Sequence, residues 1–313
     1  MIICCGDALV DMLPEQLADG REAYLPVPGG AMYNTAIALG RLGEEAGFFS
    51  GFSTDMFGQQ LTAHLEDSGV STAWCVHKPN PTTLAFVKLE EGVARYTFLD
   101  ENTASRMLSV EALPTFPRSV QALHFGAISL ISEPCGSAYE ELMSRMRNSA
   151  VISFDPNIRP GFVTNELAYR ERLRRMMAMS DIIKVSEDDL DWMEPGGQFE
   201  HIAHNRVEGG ASVVIMTMGA EGARAITETV DITVPATPAT VVDTVGAGDT
   251  FNAGFLASLR ASGVLSKQQL KDLDENTLQT AIEYGSKVAA FTVGQAGANP
   301  PWLHELTGDT GSV

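Results

Sequence analysis

The chain has 313 residues, 44% of them hydrophobic, which is enough to bury a substantial core. Forty acidic residues against 21 basic ones leave a formal charge of -19, so the mean field repels polyanions and argues against nucleic acid and anionic membranes as partners. A small anion accompanied by its own cation is not excluded, because the local field decides its binding.

The opening MIICCGDALVDML is short, lacks a basic n-region and carries Asp7 and Asp11, so it reads as a first buried strand rather than a leader. No apolar run approaches the roughly 18 residues that cross a bilayer. Cys4, Cys5, Cys75 and Cys135 form no CxxC pair and suit core positions in a reducing, cytoplasmic protein. Short apolar runs at residues 2–6, 46–52, 122–128, 151–156, 181–186 and 212–219 alternate with helical stretches such as FGQQLTAHLEDSG, SAYEELMSRMRNS and LAYRERLRRMMAMS. That alternation predicts an α/β domain around a mostly parallel sheet. Residues 82–100 break it, reading as two strands joined at Glu91-Gly92, and an extended stretch lies near residues 12–28. Together they suit a small β lid inserted into a single domain spanning 1–313, or equally an edge hairpin. The six histidines lack zinc-ligand spacing and HExxH is absent, while Met176, Met177 and Met179 follow a core-facing helical pattern.

Two glycine-rich stretches open helices. In DTVGAGDTFNAGF, Gly246 and Gly248 fall where an extended run becomes a helix whose Phe251, Phe255, Leu256 and Leu259 share one face. Such a turn leaves backbone N–H groups free at the positive end of a helix dipole, a site for phosphate. The same residues also fit a plain turn with Asp249 as its cap. No GxxxxGK[ST], HRD or DFG is present, and GAGDTF fails as a dinucleotide fingerprint at Phe251. Earlier, PGGAMYNTAIALGRLG lets the backbone approach a ligand at Gly29 and Gly30 and places Asn34 on the first helical turn. Turn geometry and close helix packing explain it as well.

Together, PGGAMYNTAIALGRLG and DTVGAGDTFNAGF resemble the two signatures of the PfkB, or ribokinase-like, sugar kinases. GDALVD, FDPNIRP, KVSEDDL, TMGAEGA and TVGQAGANPPW extend the resemblance over nearly the whole chain in that family's order. YTFLDENTASRML, HFGAISLISEP, DPNIRPGF and GANPPW are most similar to bacterial fructokinases, and ketodeoxygluconate kinases share DPNIR. The resemblance implies a ribokinase-like three-layer α/β/α sandwich with a β lid and transfer of phosphate from MgATP to a sugar hydroxymethyl group, with fructose as the leading acceptor.

It also implies residue roles. Asp249 matches the catalytic base, with the amides of Gly246, Ala247 and Gly248 holding the phosphoryl charge and Arg159 neutralising it; a surface ion pair suits Arg159 equally. Asp11, Gly29, Gly30 and Asn34 match sugar ligands, and Ser186, Thr217, Gly219, Gly222 and Ser286 match the ATP side. Ser186 and Asp189 stand where relatives carry an Asn and a Glu that organise Mg²⁺ through water. Gly294 and Gln295 stand where relatives carry a hydroxyl residue and an arginine. Asp243 and Val245 match a monovalent-cation loop for K⁺, and pairing of two copies through the lid follows from the same likeness. The same chemistry on another acceptor, such as 2-keto-3-deoxygluconate, ribose or a nucleoside, is the nearest alternative; a carboxylate-bearing acceptor would want a cation, from Arg159 or, in or near the lid, from Lys88, Arg95 or Arg106. A non-catalytic sugar sensor and an NAD-dependent oxidoreductase are the rival classes.

Overall fold

The structure is a computed structural model and describes residues 1–90 and 93–307. Its main sheet has nine strands in the order Asp231–Val234, Ala223–Ile226, Val213–Thr217, Ile182–Ser186, Val151–Asp155, Ala122–Gly126, Ile2–Cys5, Ala46–Phe49, Val70–Ser71. Every pairing is parallel except the two made by Ala223–Ile226. The period-two pleat explains why the opening strand is apolar throughout. Ile2 and Cys4 enter one core and Ile3 and Cys5 the other, so a sheet covered on both faces has no polar side. Helices Ala31–Arg41, Ala247–Ala261 and Glu275–Val293 cover the first face, and Cys135–Met146, Glu166–Met177 and Phe199–Glu208 the second. Met176 is fully buried, Met177 nearly so, and Met179 packs against that second core.

The run 46–52 is not one strand. It divides at Ser50, and Gly51–Ser53 pairs instead with Val76–Lys78. A Cβ at Gly51 would lie 2.0 Å from the Ala104 carbonyl oxygen, so the chain turns away where another backbone crowds it.

A separate four-stranded sheet has the order Glu22–Gly29, Leu9–Gln16, Leu84–Glu90, Val93–Leu99. Both extended stretches outside the α/β alternation thus enter a sheet of their own, through the parallel pairing of Asp11 with Ala85 and the antiparallel pairing of Asp11 with Val27. The turn at Glu91-Gly92 lies outside the described residues, as do the side chains of Lys88 and Arg95. Among the described residues no helix is long and apolar enough to cross a membrane.

Helices Ala247–Ala261 and Glu275–Val293 touch at glycine. A Cβ on Gly254 would come 2.8 Å from both Gly285 Cα and Val288 Cγ2. Gly254→Val should therefore overpack this contact and lower stability by roughly 1–3 kcal/mol, measured by urea unfolding; an unchanged midpoint would show that the helices can part without cost.

Candidate active site

Parallel strands present their carboxyl ends together, and open α/β sheets bind ligands along that edge. Here the edge carries a cavity of about 430 Å³ whose wall includes Asp7, Asp11, Asn34, Asn157, Lys184 and Asp249. Asp7 follows the strand Ile2–Cys5 and spans 24 residues to cap the helix Ala31–Arg41, accepting from Ala31 N at 2.9 Å. This gives the helix the side-chain cap that Gly30 cannot supply.

The helix Ala247–Ala261 starts differently. Its N-cap is Gly246, left-handed at φ 79°, and no side chain caps it. A Cβ there would also meet Ala298 Cβ at 2.6 Å, so glycine is required on both counts. Asp249 is not the cap: Asn34 Nδ2 donates to its Oδ2 at 2.9 Å and Asn157 Nδ2 to its Oδ1 at 3.3 Å. The first-turn amides are thereby left to the cavity.

Asp249 is buried, and loss of water pushes its carboxyl up to about 7. The Asn34 hydrogen bond pulls the other way, Asp155 and Asp7 push it further up, and Lys184 draws it down. A buried carboxyl poised near neutrality, with an amide on each oxygen, is suited to taking a proton. Burial, reinforced by Asp7, raises Asp11 to about 6, and burial raises Asp7 itself.

Asn157 and Lys184 carry no role in the sequence reading. Asn157 is left-handed at φ 41° and is held there by its own N–H donating to Asp155 Oδ1 at 3.1 Å. Lys184 is buried, its Nζ 3.0 Å from Asp155 Oδ2, and Asn252 Nδ2 donates to the same oxygen at 2.7 Å. Burial alone would lower the lysine's pKa, but the Asp155 carboxylate together with those of Asp189 and Asp249 outweighs it and holds the ammonium charged. Arg159 lines the cavity as expected, but it is exposed and donates to the Ile158 carbonyl, and it is not the one cation there: Lys184 is a second, buried cation on the same wall.

Of the other sequence-predicted residues, Gly30, Ser186, Asp189, Thr217 and Val245 line the same cavity as Asp11 and Asn34. Gly29 sits behind it, where a Cβ would reach 2.3 Å from Asp11 Oδ2. Ser186 and Asp189 form a capping box for the short helix Glu187–Met193. Asp189 Oδ1 also accepts from Ile158 N at 2.7 Å, so its two oxygens already serve the fold. Asp243 accepts from Val245 N at 3.0 Å and from Gly297 N at 3.0 Å, tying the 243–245 segment to the loop at 294–297. Gly219 and Gly222, at φ 52° and 107°, make the turn between Val213–Thr217 and Ala223–Ile226, outside the cavity. Ser286 also lies outside it, with Oγ accepting from Thr237 N at 2.9 Å.

A second chamber of about 590 Å³ adjoins the first, sharing Asp7, Leu9, Phe98, Ile128 and Phe162. Arg106 faces it but is paired with Asp100 at 3.0 Å. Among the described residues, Glu200, His204 and Asp231 have metal-ligand spacing, yet they lie exposed and Arg224 bridges both carboxylates. His124 is fully buried and kept neutral, its pKa lowered to about 3 by burial and by Lys184.

A proton acceptor set against an uncapped helix start is what phosphoryl transfer to a hydroxyl asks of a protein. Residues 3–305 match the family described as pfkB family carbohydrate kinase, and the chain belongs to that family. A fructokinase of Rhizobium leguminosarum bv. trifolii is 50% identical over 279 residues, 89% of this chain and 86% of that protein. Among solved structures, a fructokinase with bound ATP from Xylella fastidiosa superposes with a TM-score of 0.89 at 27% identity, covering 99% of each chain. Aminoimidazole riboside kinase from Salmonella enterica superposes at 0.84 with 29% identity, covering 100% of this chain and 99% of that one. The fold is accordingly ribokinase-like, with a large, mostly parallel sheet between helices.

Proposed function

We propose that the protein is an ATP-dependent fructokinase that moves the γ-phosphoryl group of MgATP to the hydroxymethyl oxygen of D-fructose, giving fructose 6-phosphate. The observation that carries this reading is 50% identity to a fructokinase across 89% of the chain, together with Asp249 held between two amides beside the uncapped helix. Asp249 takes the hydroxyl proton as the oxygen attacks phosphorus, and the amides of Gly246, Ala247 and Gly248 meet the developing charge. Asn34 and Asn157 fix the carboxylate, while Asp11, Gly30 and Asn34 bind the sugar's hydroxyls and Gly29, behind the cavity, leaves room for the Asp11 carboxylate. Ser186, Thr217, Gly219, Gly222 and Ser286 form the nucleotide side, and Arg159 approaches the phosphates from solvent. Mg²⁺, when bound with the nucleotide, would offset phosphate charge. The residues fit it loosely, because Asp189 already accepts three protein donors and would reach it through water.

A Vibrio cholerae fructokinase was solved with fructose, ADP and calcium ion bound, and a double mutant of it with potassium ion. K⁺ would sit at the Asp243 to Val245 segment against the loop at 294–297. The four-stranded sheet serves as a lid over the sugar within one catalytic domain. Tyr24 and Leu99 lie exposed on its outer face, with Phe86 edge-on to Tyr24, and support pairing of two copies through the lids. Tyr24→Lys should shift such a dimer to monomer in light scattering; a monomeric parent protein would dispose of the pairing. Four free cysteines fit a cytoplasmic enzyme.

The test is ADP release with MgATP over fructose, ketodeoxygluconate, ribose, glucose, tagatose, adenosine and aminoimidazole riboside, with and without K⁺. Turnover highest on fructose is expected. A higher rate on another acceptor overturns the fructose assignment, and silence across the panel favours a sensor. Ketodeoxygluconate is disfavoured because Arg106, the candidate cation near the lid among the described side chains, is already paired with Asp100.

A further inference from the structure

Lys184 is the one charged side chain in the strand Ile182–Ser186, and its burial needs a reason beyond the fold. Among the described residues its ammonium donates only to Asp155 Oδ2, which leaves two of three N–H donors unassigned in a group about 5% exposed. Ion-pairing to Asp155 does not explain where those donors point. Gly248 does: a Cβ built there would lie 3.0 Å from Lys184 Nζ, so the absent side chain keeps the ammonium open to the first turn of the uncapped helix. The cavity wall carries four carboxylates, Asp7, Asp11, Asp189 and Asp249, against two cations, Lys184 and Arg159. An incoming triphosphate would meet a negative wall unless a fixed positive charge stood at the helix start.

We propose that Lys184 is a catalytic residue of the transfer, its ammonium contacting the phosphoryl group between acceptor and ADP. This rests on the kinase reading above. In the step, the acceptor oxygen bonds to the γ-phosphorus, the bond from that phosphorus to the β–γ bridging oxygen breaks, and ADP leaves with that electron pair. Asp249 takes the hydroxyl proton, and Lys184 gives up none of its own. It stabilises charge, held in register by Asp155, which Asn252 in turn fixes from inside the helix. The hydrocarbon stem is buried, so the charge cannot swing out to solvent as that of a surface lysine does.

The test compares the parent protein with Lys184→Met, with the charge-balanced Lys184→Met/Asp155→Asn, and with Gly248→Ala, which crowds the ammonium without removing it. Turnover should fall about 10²- to 10³-fold in all three. Thermal shifts then isolate the contact. ADP with aluminium fluoride and fructose, a mimic of the group in transit, should raise the parent's melting temperature beyond ADP and fructose alone. The variants should lose that increment while keeping the fructose and ADP shifts. A variant that keeps the increment, a parent that never shows one, or loss of fructose and ADP binding in all three variants overturns the proposal. A parent that binds ADP–aluminium fluoride but phosphorylates no sugar instead faults the choice of acceptor, and the two failures are thereby told apart.

Discussion

Asp249→Asn should lower kcat by roughly 10²- to 10⁴-fold, the range for a positioned acid–base group. Fructose and ATP affinities, measured by calorimetry, should stay within a few-fold. The substitution keeps the shape of the side chain but removes the charge that accepts the proton. It also sets an amide nitrogen against one of the two amide donors, Asn34 Nδ2 or Asn157 Nδ2, that now hold the carboxylate. Since the helix Ala247–Ala261 takes no side-chain cap, the substitution removes no capping bond and the variant should fold. A kcat within tenfold of the parent's would take the base role away from Asp249 and direct attention to Asp11.

The second large effect is on pH. With the Asp249 carboxyl at about 7, kcat/KM should rise through neutrality and fall about tenfold for each pH unit below it, because only the ionised form takes a proton. Stability should run the other way. Asp249, Asp11 and Asp7 are all raised above the unfolded carboxylate value near 3.9, so the native chain holds more protons than the unfolded one between about pH 4 and 7. These groups therefore contribute stability that is full below pH 4 and lost as the pH climbs to neutrality. Urea unfolding at pH 5.5 and 8 would measure it, and rate assays across the same range would measure the first effect. A flat rate between pH 6 and 8 would sink the assignment of Asp249's environment.

Much of this site is legible in one dimension because its parts are local. GAGD and PGGAMYN are contiguous, and each places glycines and a polar side chain at a helix start. Residues 2–6 and 151–156 read as buried strands because a sheet covered on both faces leaves no alternation to find. What escaped is what depends on distance along the chain. The Asn34 to Asp249 hydrogen bond spans 215 residues, and Asn157 reaches Asp249 from 92 away, so no window of sequence shows that either amide holds the carboxylate. Lys184 did leave a trace, as a lone lysine inside DIIKVS with no solvent face to point toward. Ser186 and Asp189 read as metal organisers, whereas their spacing of three also makes the capping box that the structure shows. The break at Ser50 follows from the Ala104 carbonyl pressing on Gly51, a contact that local propensity does not encode.

The clamp on Asp249 has a consequence for how the chain acquires its activity. Its two arms, Asn34 and Asn157, come from near the beginning and the middle of the chain, and the carboxylate they hold comes from near the end. No fragment ending before residue 249 can hold the base, and closing loops of this length is slow. Regain of turnover after dilution from denaturant should consequently lag behind regain of helical signal and coincide with the last tertiary phase, which makes catalysis itself the most stringent reporter that this chain has finished folding.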